Sequence, residues 1–444
     1  MSNINQQPVM AQEEIPEFSF VAHFKLLQKK EGYLKQLQQS ALDKYCKMPF
    51  PNTKTPGWRK ISLRELRPEV FTLHEQASSR IENVNEDSGS GKFENVIYVK
   101  LESDAAGSRL SIDNHIVKAL HVDIVKDRSD FIPENIIGKI GQIVTPDSDK
   151  FAAFSYAFSN NHVVISIEDN CNLTRPVYFD EIINGDKIAI PNTTLLYVGK
   201  NSSATLIRER RSGNCTKIMN VGIMEIYLDE NAHLDLIDIQ DNSHQTWDFQ
   251  NQKASLQKDA SINWFSLLKG CEFSKSRLEV SLNGQGSSAI VSGLFIPTAK
   301  QQIFMDTAQN HMAKNTTSDL LYRGVVDGES RSMWEGMIYV DEKAIHTDGY
   351  QANNNLVLSR TAKIDSTPGL EILTNDVRCS HGVTITNLDK EQLFYLESRG
   401  IPDKTGEALI ISGFVQTVID RVVEKEIQQF LWDEFISKIN KDML

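Results

Sequence analysis

The sequence predicts a mainly β protein with helical segments at both ends. Three observations carry that reading. The centre, from roughly 95 to 385, is a succession of short alternating runs divided by turn pairs. On either side of it, apolar residues recur every three or four positions among polar ones, the spacing of an amphipathic helix. No long helical pattern interrupts the centre, so its strands must find their partners among themselves.

Residues 17–47, "EFSFVAHFKLLQKKEGYLKQLQQSALDKYCK", have the helical spacing. "MPFPNTKTPGWRKISL" ends it, because Pro49, Pro51, Pro56 and Gly57 cannot continue a helix. The polar stretch 83–96 reads as a loop and holds a decoy. "GSGK" suggests a phosphate loop, but that pattern needs Gly at 86 and Ser or Thr after the Lys, where Glu86 and Phe93 stand. Nucleotide binding there is rejected.

In the centre, "SRLEVSL" (276–282) puts Leu278, Val280 and Leu282 on one face and Arg277, Glu279 and Ser281 on the other. "HLDLIDI" (233–239), "VVISI" (163–167) and "MIYV" (337–340) are similar strands. Asn184-Gly185, Asn283-Gly284, Asp327-Gly328 and Asp348-Gly349 are expected at turns. Periodicity does not separate a sandwich, a barrel and a β-helix, although so long a run of strands favours a solenoid. "LDKEQLFYLESRG" (388–400) reads as a helix capped by Asp389 and stopped at Gly400 and Pro402. From Val415 to Ile439 an apolar stripe spans about six helical turns. It either packs on its own protein or docks a partner. The boundaries expected are a helical domain and linker over 1–94, a β core over 95–386 and a helical domain over 387–444.

Bulk properties narrow the function. A net charge of −12 disfavours a nucleic-acid backbone or an anionic membrane as partner. The basic "RERR" at 208–211 is expected on a solvated strand edge or a salt-bridged rim. No signal peptide is visible, and the apolar run "ALIISGFVQTVI" is too short and polar to span a bilayer. Cysteines at 46, 171, 215, 271 and 379 contain no C-x-x-C, which reads as reduced cytoplasmic thiols. Cys171, Cys215 and Cys271 are expected as small buried hydrophobes.

The chemistry-bearing stretch is "DVRCSHGVTI" (376–385). If extended, Val377, Cys379, His381, Val383 and Ile385 share one face, with Arg378, Ser380 and Thr384 opposite. Cys379 and His381 are two ligands, whereas zinc or an iron–sulfur cluster needs about four. Either the pair is ordinary core, or it is half of a metal site completed by another chain. A catalytic Cys–His pair is disfavoured, since no orienting carboxylate is evident and neighbours on one strand rarely take nucleophile–base geometry.

Within 311–414 the chain carries, in order, "HMAKNTTSDLLYRGVVDGESRSMWEGMIYV", "QANNNLVLSRTAKIDSTPGLEILTNDVRCSHG", "LDKEQLFYLESRGI" and "ISGF", with "GWRKISL" at 57–63. These motifs resemble the SufB/SufD family of iron–sulfur cluster assembly proteins, "GWRKISL" more loosely than the rest. "CSHG" is similar to the SufD branch; Val383 stands where that branch usually has Ala. The resemblance implies a right-handed parallel β-helix between two helical domains. It implies a non-enzymatic scaffold that pairs with a SufB-like paralogue and docks a SufC-like ATPase through its C-terminal helices. His381 and Cys379 would be its half of an interface site for iron or a transient cluster. ATP would enter only through the ATPase. Whether the isolated chain is a homodimer, and whether the complex binds reduced flavin, the resemblance leaves open. His346 is expected at the surface without a role. Two alternatives have requirements of their own. A SufB-type scaffold would need an acceptor cysteine, which none of Cys171, Cys215 and Cys271 can be assigned to. A polysaccharide-active β-helix enzyme would need two placed carboxylates and, usually, export.

Overall fold

The structure, a computed structural model, describes residues 16–21, 32–73, 80–84, 92–93, 95–113, 117–126, 128–159, 162–213 and 217–442. The strands, in chain order, are β1 (Thr72–Leu73), β2 (Arg80–Val84), β3 (Ile97–Asp104), β4 (Gly107–Asp113), β5 (Leu120–Val125), β6 (His162–Ile167) and β7 (Val177–Ile183). They continue with β8 (Ile188–Val198), β9 (Ser203–Ser212), β10 (Ile218–Leu228), β11 (His233–Asp241), β12 (Thr246–Leu256), β13 (Ser261–Gly270) and β14 (Phe273–Leu282). The last are β15 (Ser288–Phe295), β16 (Gln302–His311), β17 (Thr317–Val326), β18 (Arg331–Val340), β19 (Thr347–Val357), β20 (Lys363–Ile372) and β21 (Val377–Asn387).

From β7 onward, even and odd strands alternate between two sheets, and each strand pairs in parallel with the next but one. This is a parallel β-solenoid. Its start is less regular, with antiparallel pairs β3–β4 and β5–β6. The expected solenoid and the expected faces agree with it: Leu278, Val280 and Leu282 point into the core, while Arg277 is exposed.

A corner repeats along the solenoid. Asn170, Asn201, Asn231, Asp259, Asn315 and His346 all hold φ of 52 to 60°, a left-handed backbone that Asn and Asp tolerate best among side chains with a Cβ. Each donates its N–H to a carbonyl of the next turn, as Asn201 does to Glu230 and His346 to Asp376. The Asn side chains stack as well: Asn201 donates to Asn170 and Asn231 to Asn201, both at 3.0 Å. His346 is therefore a corner residue, exposed as expected, with Asp376 3.1 Å from its Nδ1. Of the turn pairs, Gly185 and Gly328 lie between strands with φ of 131° and 66°. Asp348-Gly349 is a correction: it lies inside β19, not at a turn.

Helices cover the outer faces. On the even-strand sheet lie α1 (Tyr33–Lys47), the short α2 (Glu134–Ile137) and α3 (Lys150–Phe158). Residues 22–31 of the helical stretch expected over 17–47 fall outside the described residues, as do residues 85–91 of the decoy loop and Cys215. Asp149 caps α3 by accepting from Phe151 and Ala152 N–H, and the aromatic residues of α3 bury against Tyr45 and Phe249.

On the odd-strand sheet lie α5 (Asp403–Ile419) and α6 (Lys425–Asp442), preceded by α4 (Lys390–Ser398). The apolar stripe expected as one helix of six turns is in fact two helices broken at 420–424. Its residues Val415, Val418, Ile419, Ile427, Leu431 and Phe435 are buried against Ile207, Ile237, Phe265 and Leu294 of the solenoid. These residues cover their own protein, while Val423 between the two helices is 67% exposed.

"RERR" is a second correction. Arg208 and Arg210 point into the solenoid, 0% and 2% exposed. Arg208 donates to both oxygens of Glu181 at 3.1 and 2.9 Å, and Arg210 donates to Asp238 and to Asp248 at 3.0 Å. Glu209 and Arg211 point outward beneath the helical layer, where they meet Lys92 and Asp180. Period-two alternation sends a charged pair inward whenever the interior supplies counter-charges.

Candidate interface site on the last turn

Strand β21 ends the odd-strand sheet and β20 ends the other, so each offers one unpaired edge. Neither strand contains a buried residue. Leu370 and Ile372 of β20, Leu373 after it and Ile385 of β21 are 37% to 50% exposed. Such a rim, apolar and carrying a free backbone edge, is suited to another protein.

Cys379 and His381 lie on this last strand, at positions paired with Gly349 and Gln351 of β19. Cys379 is half-buried, against Ile338, Val340 and Ala344. Burial pushes its thiol up, the Gly349 N–H works the other way, and Asp348 adds to the rise. His381 is exposed. The ordinary-core reading therefore does not hold for His381, which stands at the open rim. Among the described residues no three His, Cys, Asp or Glu converge on one point. Of the other cysteines, Cys46 is exposed, Cys171 half-buried and Cys271 buried, with burial pushing the Cys271 thiol up.

A second surface stands apart from the rim. α4 begins at the expected cap, Asp389 accepting from Glu391 N–H at 2.8 Å, and ends before Gly400 at φ 83°. None of its residues is buried. Phe394 and Tyr395 are 71% and 57% exposed, and Leu409 on α5 is 51% exposed. The sequence places the expected dock on 387–400 and on 407–423; of these segments α4 has no buried residue, whereas Ile411, Val415, Val418 and Ile419 of α5 are buried.

Residues 181–414 match the family described as "SUF system FeS cluster assembly, SufBD core domain". The chain belongs to the SufBD family. The iron–sulfur cluster assembly protein SufD of Escherichia coli (strain K12) is 30% identical over 234 residues, which are 53% of this chain and 55% of that protein. SufD of Bacillus subtilis (strain 168) is 24% identical over 88% of this chain and 90% of its own length. A SufBD family protein of Synechocystis sp. is 26% identical over 90% and 89%. The SufBD match takes in the last-turn strand with Cys379 and His381, and α4, but not the N-terminal helical layer. Among the described residues no helix is long and apolar enough to cross a membrane.

Proposed function

We propose that this SufBD-family chain is a SufD-like scaffold subunit, which pairs end to end with a SufB-like paralogue through β20 and β21 and presents Cys379 and His381 to a shared iron or nascent-cluster site. The observation that carries the reading is the placement of this Cys–His pair on the open, apolar last turn of the solenoid. Iron is cargo here. A neutral imidazole and a thiolate are suitable donors for it, and one chain supplies too few to hold a cluster. The scaffold reading requires no catalytic group in this chain, and ATP is used by the partner ATPase.

The ATPase docks on α4 and the start of α5, where Phe394, Tyr395 and Leu409 project. Removal of 387–444 would strip the cover from the odd-strand sheet, so a point variant is the sharper probe. Phe394→Asp should abolish co-purification of the ATPase from co-expressing cells and leave the thermal midpoint unchanged. Retained co-purification would move the dock elsewhere. For the rim, the complex is co-expressed and purified anaerobically, and iron per complex is measured beside the thermal midpoint. His381→Ala should lose iron at an unchanged midpoint. A lowered midpoint with iron retained per folded complex would return the strand to a structural role.

A further inference from the structure

A cleft of about 710 Å³ opens on the outer face of the even-strand sheet, between its strands and the segment 48–59. That volume lies within the roughly 300–1,000 Å³ usual for sites that hold small organic molecules. The segment is pinned to the sheet at its end. Trp58 is buried against Phe151, with ring centroids 5.6 Å apart. Gly57, at φ 73°, comes so close that a Cβ there would stand 3.1 Å from Asp306 Oδ2. Pro49, Pro51 and Pro56 give the rest of the segment an apolar lining, and Met337 adds to it from β18.

The floor carries a polar row. Asn251, Arg277, Asp306, Glu335 and Thr367 are register partners on β12, β14, β16, β18 and β20, and all five line the cleft. Most of the charges around them already have partners. Lys275 donates to Asp306 at 2.5 Å, Arg277 to Glu279 at 3.1 Å and Lys60 to Asp365 at 2.7 Å. Glu335 differs. Half-buried, it has no hydrogen bond or ion pair among the described residues, and Lys275, Arg59 and Lys60 act on it only through space. Burial, then Asp306 beside it, push its carboxyl up. Asn251 is 5% exposed; its Nδ2 donates to Asp149 Oδ2 at 3.2 Å, and its Oδ1 has no partner among the described residues. Three strand spacings, about 14 Å, separate it from Glu335. Both open groups on the floor are acceptors, so each calls for a donor.

We propose that this cleft binds an elongated organic amine, its ammonium group seated on Glu335 beside Asp306 and its body laid along the apolar lining of 48–59. A cation there gives the Glu335 carboxylate the partner that it lacks. An anion is disfavoured, because the sheet's own Lys275 and Arg277 already meet Asp306 and Glu279. The site stands apart from the Cys–His pair of the last turn and does not rest on the scaffold reading.

The test is a fluorescence titration of the full chain with dansylcadaverine, a primary alkylamine, beside its analogue that ends in a methyl group in place of the ammonium. The wild type should bind the amine saturably and at least about 10-fold more tightly than the analogue, the worth of one charge-assisted hydrogen bond. Glu335→Gln should remove that preference and leave the analogue's affinity unchanged. Ala308→Trp, which fills the floor between Glu279 and Met337, should abolish amine binding at a retained thermal midpoint. Arg59→Ala should bind the amine at least as tightly as the wild type, since it removes a like charge from the cleft. A wild type that binds both probes equally, or neither, overturns the proposal. So does an undiminished preference in Glu335→Gln, a loss there that is equal for the two probes, or wild-type amine affinity in Ala308→Trp. Weakened amine binding in Arg59→Ala also overturns it, by assigning the cleft to another chemistry.

Discussion

The middle turns of the solenoid and its last turn both carry polar groups on inward-facing positions, and they treat them oppositely. Around Arg208 and Arg210 the interior is closed: both guanidinium groups are buried and meet Glu181, Asp238 and Asp248. Burial alone would raise the Asp238 carboxyl, but Arg210 and Arg208 more than offset it and hold it below the usual range. Helices lie over both outer faces there. On the last turn, among the described residues, no further strand covers β20 and β21, and Leu373 and Ile385 reach solvent. The same strand geometry therefore yields a closed network that can serve only the fold, and an open end whose groups remain available to a ligand or a chain.

The comparison breaks first at the closed network. Arg208→Met should destabilise the protein by about 3–5 kcal/mol, because it strands the Glu181 carboxylate without its bidentate partner. Chemical denaturation measures it. The double variant Arg208→Met/Glu181→Met should recover much of that loss, since removing both ions also removes their desolvation cost. If the single variant costs less than about 1 kcal/mol, the network is not closed.

Next in size is acid. His162 and His311 are buried, and burial pushes each down to about 4. In the unfolded chain both return to about 6.5, so between those values the unfolded state binds more protons and stability falls with pH. The contribution is fully present above about pH 6.5 and is lost toward pH 4, on the order of 3 kcal/mol for each histidine. Denaturation midpoints at pH 7 and pH 5 check it. His162→Gln should roughly halve the difference, leaving the His311 part, and an unchanged pH dependence in that variant would show that His162 does not contribute.

The open end should respond least in stability and most in association. Ile385→Asp and Leu373→Asp should each change unfolding free energy by about 0.5 kcal/mol or less, as substitutions at exposed positions do. Each should still weaken pairing with the paralogue at least about 10-fold, an apolar contact of about 1.4 kcal/mol lost at the rim. Sedimentation of the mixed chains reads the second effect. Undiminished association in the double variant would place the interface away from β20 and β21.

How much of this was legible in the sequence varies with the physics of each feature. Alternation around Leu278 and the cap at Asp389 depend on neighbours a few residues away, so both were readable. The solenoid repeat was harder to see. Its corners at Asn170, Asn201, Asn231 and Asp259, 28 to 31 residues apart, form a signal that a search for Asn or Asp at such intervals would catch. The break at 420–424 was hidden because Val422 and Val423 leave the apolar spacing intact across the turn.

The sequence by itself determined the three textures, the Cys–His spacing on one strand and, through its motifs, the family. Local periodicity and residue order are properties of the chain, and they survive without any knowledge of what lies beside them. Only the tertiary structure decided that Arg208 is interior and not rim, because an inward position is tolerable for a charge only when Glu181, 27 residues away in sequence, arrives beside it. Only the tertiary structure set Asn251, Arg277, Asp306 and Glu335 in one row and, among the described residues, left β21 without a covering strand. Those facts depend on contacts between successive turns. The energy that fixes them is spread over register pairs far apart in the chain, and no local window contains both members of such a pair.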